Sequence, residues 1–132
     1  MNLTIMKSIR TNNFKDEAIM QKITELWNEA LITLKNQDGV IYGWYYDYES
    51  DYKGDYTLSV AIESAGNGST IEIPNTSTYE IFEVDTSVEH GILHTWKEIW
   101  EREEKGDLKR AYTFDYEKYY PNGLIEIHIA TK

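Results

Sequence analysis

Two hydrophobic rhythms alternate along this chain. In "FKDEAIMQKITELWNEALITLK", residues 14–35, apolar side chains fall at Ile19, Ile23, Leu26, Trp27, Ala30, Leu31 and Leu34. Spacing by threes and fours predicts one buried face of a helix. Asn12 or Asn13 is placed to cap it, and Asp16 and Glu17 suit the positive end of its dipole. The same rhythm returns from about Thr86 to Lys105, with Ile92, Trp96, Ile99 and Trp100 on one face. Thr86 or Ser87 is the expected cap, and Gly106 with Asp107 the expected end. Strand-like stretches fill the remainder. They are "LTIMKSI" at the start, then "VIYGWYYDY" and "YTLSVAIE" joined by the turn "DYKGD". "STIEI" and "YEIFEV" follow as a short pair, with the glycines of "SAGNGST" turning between the halves. "RAYTFDYEKYY" and "LIEIHIAT" close the chain around "PNG".

These elements repeat. Trp27 and Trp96 stand 69 positions apart (96 − 27), as do Ile23 and Ile92, and Gly54 and Gly123. The tripeptide "DYE" recurs at 47 and 115, an offset of 68 (115 − 47), which makes Glu49 the repeat partner of Glu117. Each half reads strand, helix, strand, strand. Without a low-complexity linker, the two repeats, about 1–66 and 67–132, are expected to share one core as a single domain of 1–132. The predicted class is α+β: a curved antiparallel sheet with two helices on one face, flanking a central groove. A groove between related halves suits a small ligand.

Composition narrows the function. The 132 residues carry 23 acids against 13 Lys plus Arg, a formal charge of −10. No basic stripe offers a footprint for phosphates, so direct nucleic-acid binding is not expected. An acidic field favours cationic small molecules or a basic protein. No stretch approaches the roughly 18 apolar residues of a membrane span, and the opening lacks a signal-peptide core, so the expected location is the cytoplasm, away from membranes. There is no cysteine, which removes disulfides and thiolate sites. His90 and His94 stand at i, i+4 without a matching third ligand and are read as solvent-facing. No catalytic triad, phosphate loop or dinucleotide fingerprint is present, and no cofactor or metal is expected.

The unusual feature is aromatic. Eleven of the chain's residues are Tyr, four Trp and three Phe. "YYDYESDY" at 45–52 and "FDYEKYY" at 114–120 interleave tyrosines with carboxylates. Ring faces attract a desolvated organic cation by roughly 0.5–2 kcal/mol each without a fixed hydrogen-bond geometry. A buried carboxylate adds a charge partner, and tyrosine hydroxyls can keep it hydrogen-bonded when no guest is present. Strand alternation puts Tyr42, Trp44, Tyr46 and Tyr48 on one face, and Gly43, Tyr45, Asp47 and Glu49 on the other. Of these, Tyr42 and Tyr46 are favoured for the groove.

The segments "IYGWYYDYESDYKGDYT", "TWKEIWE" and "LKRAYTFDYEKYYPNGLIEIHIATK" together resemble the integron-associated effector-binding proteins. That group is a branch of the GyrI-like (gyrase-inhibitor-like) superfamily, which supplies effector domains to AraC-type and MerR-type regulators. The resemblance spans essentially the whole chain. It implies a tandem strand-helix-strand-strand fold whose groove holds lipophilic cations between aromatic walls and an acid. By that likeness the groove acid falls on Glu117 in "YEKY". A family tyrosine is replaced by His128, whose protonation near pH 6.5 would oppose a cation. Trp44, where a smaller residue is expected after Gly43, would narrow the groove.

Alternation sets Glu117 beside Asp115 and Tyr119 and opposite Phe114 and Tyr116, the more natural core pair. Glu126, on the face of His128, is the second candidate acid. Trp96 and Trp100 lie one turn apart, so one can seal the core while the other edges the groove, and Trp27 is assigned to the core. The expected ligand set is therefore Glu117, Tyr42, Tyr46, Trp96, Trp100, Tyr119, His128 and Glu126, with no catalytic residue. The leading reading is a non-enzymatic binder of lipophilic, cationic small molecules, acting as a drug sensor or effector domain through a regulator or other protein partner. Two alternatives stand beside it: a GyrI-like hydrolase of reactive xenobiotics, with Glu117 and Tyr46 or Tyr119 as acid and base, and a protein-inhibitor module.

Overall fold

The computed structural model describes residues 2–33, 39–51, 53–63, 70–72 and 78–132. In chain order the elements are β1 (Asn2–Thr11), α1 (Ile19–Thr33), β2 (Ile41–Tyr46), β3 (Tyr56–Glu63) and β4 (Thr70–Glu72). There follow β5 (Thr78–Glu83), α2 (Gly91–Glu104), β6 (Asp115–Tyr119) and β7 (Ile125–Thr131). The strands form one antiparallel sheet in the order β4-β1-β3-β2-β6-β7-β5. Exchanging the halves maps β1-β3-β2 onto β5-β7-β6, and they meet at the β2–β6 junction, where Gly43 faces Glu117 and Trp44 faces Tyr116. A register shift between Ile5 and Lys7 of β1 puts a bulge in the sheet, the usual device for bending one. No described helix is long and apolar enough to cross a membrane.

Both helices dock on the same sheet face by the residues their periodicity marked. Leu26 and Ala30 of α1 pack on Leu58 and Val60, with Ile9 and Ile41 beside them. Trp96 and Ile99 of α2 pack on Phe82, Ile127 and Ile129. The other face is not left to solvent. Tyr42, Trp44, Ala61 and Tyr116 form a separate buried cluster there, with Tyr46, Tyr79 and Phe114 against it. Both sheet faces are therefore core, and this decides where the candidate residues point.

Several boundaries differ from the sequence-based expectation. α1 begins five residues late because Asn12 caps a preceding turn, its Oδ1 accepting from the amides of Phe14 and Lys15. α2 begins at Gly91, after Asp85 has engaged both the amide and hydroxyl of Ser87 in a turn of its own. A Cβ at Gly91 would meet the Asp85 carbonyl oxygen at 2.2 Å, so this approach requires glycine. β4 does not pair with β5: it lies against β1, and the two occupy opposite edges of the sheet. The stretch before β6 is irregular, with Tyr112 at φ 56. Residues 34–35 of the first helical pattern, the ends of "STIEI", the glycines of "SAGNGST" and Tyr52 lie outside the described residues.

Candidate functional site

A cavity of about 900 Å³ opens between the two helices, floored by β2 and β6 at the junction of the halves. Tyr45, Glu117 and Tyr119 form its floor, Trp27 one wall, and Trp96 with Trp100 the other. Glu117 is 3% exposed. Its Oε2 accepts hydrogen bonds from Trp96 Nε1 at 2.7 Å and Tyr45 OH at 2.9 Å, and its Oε1 from Tyr119 OH at 2.7 Å. Among the described residues no Lys, Arg or His pairs with it. Burial outweighs these three bonds, so its carboxyl titrates above the ordinary glutamate range. Burial and the nearby Glu117 charge push the hydroxyls of Tyr45 and Tyr119 well up, so both remain protonated donors.

The rings around this carboxylate hold one another in place. Tyr45 meets Trp96 edge-on at 5.0 Å, and Trp27 meets Tyr119 edge-on at 5.0 Å. Trp100 lies 6.5 Å from Trp96, and Phe14 reaches it at 5.7 Å from before α1. Gly43 makes the floor possible. A Cβ there would sit 3.1 Å from Glu117 Oε1 and 3.2 Å from Trp27, so any side chain would displace the carboxylate or the ring. Met20, Leu31, Val88 and Leu93 leave an exposed apolar rim at the mouth.

A second buried acid stands nearby with its charge matched. Asp115 Oδ2 accepts from Arg110 Nη2 at 2.8 Å and from Tyr48 OH, while Oδ1 accepts from the Ala130 amide at 2.8 Å. The Arg110 guanidinium lies over the Tyr112 ring at 4.4 Å, and its Nη1 is 3.7 Å from Glu103 Oε1. Arg110 reaches the cavity wall, but its charge is spent on these carboxylates. Among the described residues, Glu117 is thus a buried acid whose charge is left unmatched.

Of the residues marked by sequence, the structure gathers Glu117, Tyr119, Trp96 and Trp100 around the cavity. It does not bring Tyr42, Tyr46, Glu126 or His128 there. Tyr42 belongs to the buried cluster on the opposite face and Tyr46 packs against it. Tyr46 bonds to Ser59 Oγ at 2.8 Å, and Glu126 accepts from Tyr120 OH at 2.7 Å. His128 stacks on Tyr116 with centroids 4.4 Å apart and contacts Glu126 at 3.1 Å. Burial lowers its pKa, so it is neutral near pH 7, and it packs with Tyr116 on the sheet face away from the cavity. Trp44 is fully buried on that same side and does not narrow the groove. Trp27, assigned to the core, is a cavity wall.

Tyr45, Tyr48 and Tyr56 were missed as cavity residues. Gly43 carried the signal: a glycine inside an aromatic strand marks a close approach, and Tyr45 shares its face. Glu49 is not the counterpart of Glu117, since it sits in the exposed loop after β2 while Glu117 lies within β6.

The arrangement is thus two helices over one duplicated antiparallel sheet, with an acid-centred aromatic cavity between them. Residues 4–131 match the family of integron-associated effector binding proteins, and the chain belongs to it. A Bacillus subtilis (strain 168) relative named "Putative transcriptional regulator protein YobU" is 30% identical, over 89% of this chain and 81% of its own. The crystal structure of an integron cassette protein from the mobile metagenome of Vibrio cholerae superposes with a TM-score of 0.78. That match has 23% identity and covers all of this chain and 90% of the other, and it shows the fold.

Proposed function

We propose that this effector-binding domain takes lipophilic cations into the cavity between α1 and α2, with Glu117 as charge partner and Tyr45, Trp27, Trp96, Trp100 and Tyr119 as ring walls. The observation that carries this is the unmatched carboxylate. A glutamate buried without a cation is costly in the free protein, and a desolvated organic cation relieves that cost on arrival. The apolar rim suits the body of such a guest, and the net charge of −10 raises its local concentration. Occupancy would then be read by a protein partner, as a drug sensor or as the effector half of transcription regulation. The name of the Bacillus subtilis relative supports that role. Hydrolysis is the weaker reading, because a carboxylate already accepting three hydrogen bonds has little capacity left to activate water.

The test uses intrinsic fluorescence, since Trp27, Trp96 and Trp100 line the cavity and Trp44 does not. Tetraphenylphosphonium is expected to quench emission saturably and raise the melting temperature. A neutral analogue and the anion tetraphenylborate are expected to do neither. Glu117→Gln should weaken cation binding at least tenfold. Equal binding by that variant would remove the assignment, and turnover products detected by mass spectrometry would revive the hydrolase.

A further inference from the structure

The carboxylate at the cavity floor has almost no hydrogen-bonding capacity to offer a guest. A glutamate presents about four lone-pair sites on its two oxygens. Three are filled by the protein itself: two on Oε2 by Trp96 and Tyr45, and one on Oε1 by Tyr119. The fourth, on Oε1, belongs to the oxygen that a Cβ on Gly43 would meet at 3.1 Å, on the side of the floor that Trp27 also approaches. The neighbouring Tyr56 directs its hydroxyl at Asn13 Oδ1, 2.6 Å away. Asp85 lines the cavity but is exposed, where water already serves an ammonium as well as a carboxylate does. The carboxylate therefore supplies negative potential with little acceptor capacity of its own.

We infer that the site is built for cations that carry no N–H, quaternary or charge-delocalised, and discriminates against protonated amines of the same shape. This rests on the cation-binding reading above and names the ligand class within it. A primary ammonium brings three donors that must leave water, and each left unpaired in a dry cavity is penalised. A quaternary nitrogen has no donors to lose. Its diffuse charge is matched by ring faces, which need no lone-pair alignment. Phenols that donate to a carboxylate are polarised toward phenolate, and this enriches the same rings.

Isothermal titration calorimetry at pH 7.5 with decyltrimethylammonium, decylammonium and decanol, each below its aggregation limit, tests this. Decyltrimethylammonium is expected to bind at least tenfold more tightly than decylammonium. Equal or reversed affinities overturn the inference. Decanol separates the two levels of reading: if it binds as tightly as decyltrimethylammonium, cation recognition itself fails. If it binds more weakly while the two cations tie, only the N–H discrimination falls.

Extra methyl groups also add apolar contact, so a second arm varies the protein instead of the guest. Tyr45→Phe frees an acceptor site on Oε2, and decylammonium is expected to gain on decyltrimethylammonium by at least threefold. Should that variant not fold, Tyr119→Phe frees a site on Oε1 with the same expectation. An unchanged ratio overturns the saturation argument. So does weaker decylammonium binding, which would mean that the tyrosine oxygens themselves accept from amines.

Discussion

Glu117 is where charge, burial and register meet, and its titration makes a signed prediction. Its folded-state pKa is raised by burial. A group raised in this way contributes stability that is complete below its unfolded pKa and lost as pH rises through the folded value. At pH 7.5 the unfolded chain ionises this carboxyl more readily than the folded protein does, so Glu117→Gln is expected to melt higher than wild type. The rise should be about 3 °C for each kcal/mol relieved, and the gap should close as pH falls toward about 4. Differential scanning fluorimetry across pH checks it, and a variant that melts lower at pH 7.5 would show that the three hydrogen bonds outweigh burial. Cation affinity should fall with pH through the same titration, because protonation removes the charge partner. Gly43→Ala is expected to damage stability and affinity together, since its Cβ would crowd both Oε1 and Trp27. At this scale the sequence was half legible. Alternation correctly set Tyr42 with Tyr46 and Gly43 with Tyr45, but hydrophobicity could not say which set faces the helices. Both faces are buried, and the one away from the helices is sealed by aromatic rings rather than by a covering layer. Tyrosine serves on both sides, so composition does not tell a cavity wall from a core filler.

The elements divide the work unequally. α1 is fastened by aliphatic packing of Leu26 and Ala30 on β3, so Leu26→Ala is expected to cost about 2–5 kcal/mol in chemical denaturation. α2 is held by Trp96 and Ile99, with Glu103 at its end joined to Tyr112 and close to Arg110. Arg110 and Asp115 tie the irregular chain between α2 and β6 into the sheet. Arg110→Met, which strands Asp115 as an uncompensated buried charge, is expected to lose about 3–5 kcal/mol. Adding Asp115→Asn should return part of that loss. If the double variant is no more stable than the single, the cost lies in packing rather than in charge. Helix faces were legible because a 3.6-residue period survives any capping arrangement. Helix starts were not, because Asn12 and Asp85 bond into turns of their own before either helix begins. The pairing of β4 escaped for another reason: neighbours in sequence usually pair, whereas this short strand crosses to the far edge beside β1.

For the molecule as a whole, binding and folding are linked. A cation at 100 times its Kd is expected to add about 2.7 kcal/mol to unfolding free energy, and a matched anion nothing. Denaturant titrations with and without tetraphenylphosphonium measure this directly. The larger consequence comes from the seam where the halves join, with Gly43 and Glu117 directly across from each other about 5 Å apart. Two separate copies of one half-length peptide, related by a true dyad, would place identical residues at that spot. Twin glutamates would repel until one took up a proton, and twin glycines would leave the hollow without a charge. Covalent fusion lets one lobe contribute the anion while the other contributes the vacancy it occupies. Broken symmetry at a single crossing is thus what converts a doubled scaffold into a receptor with one seat.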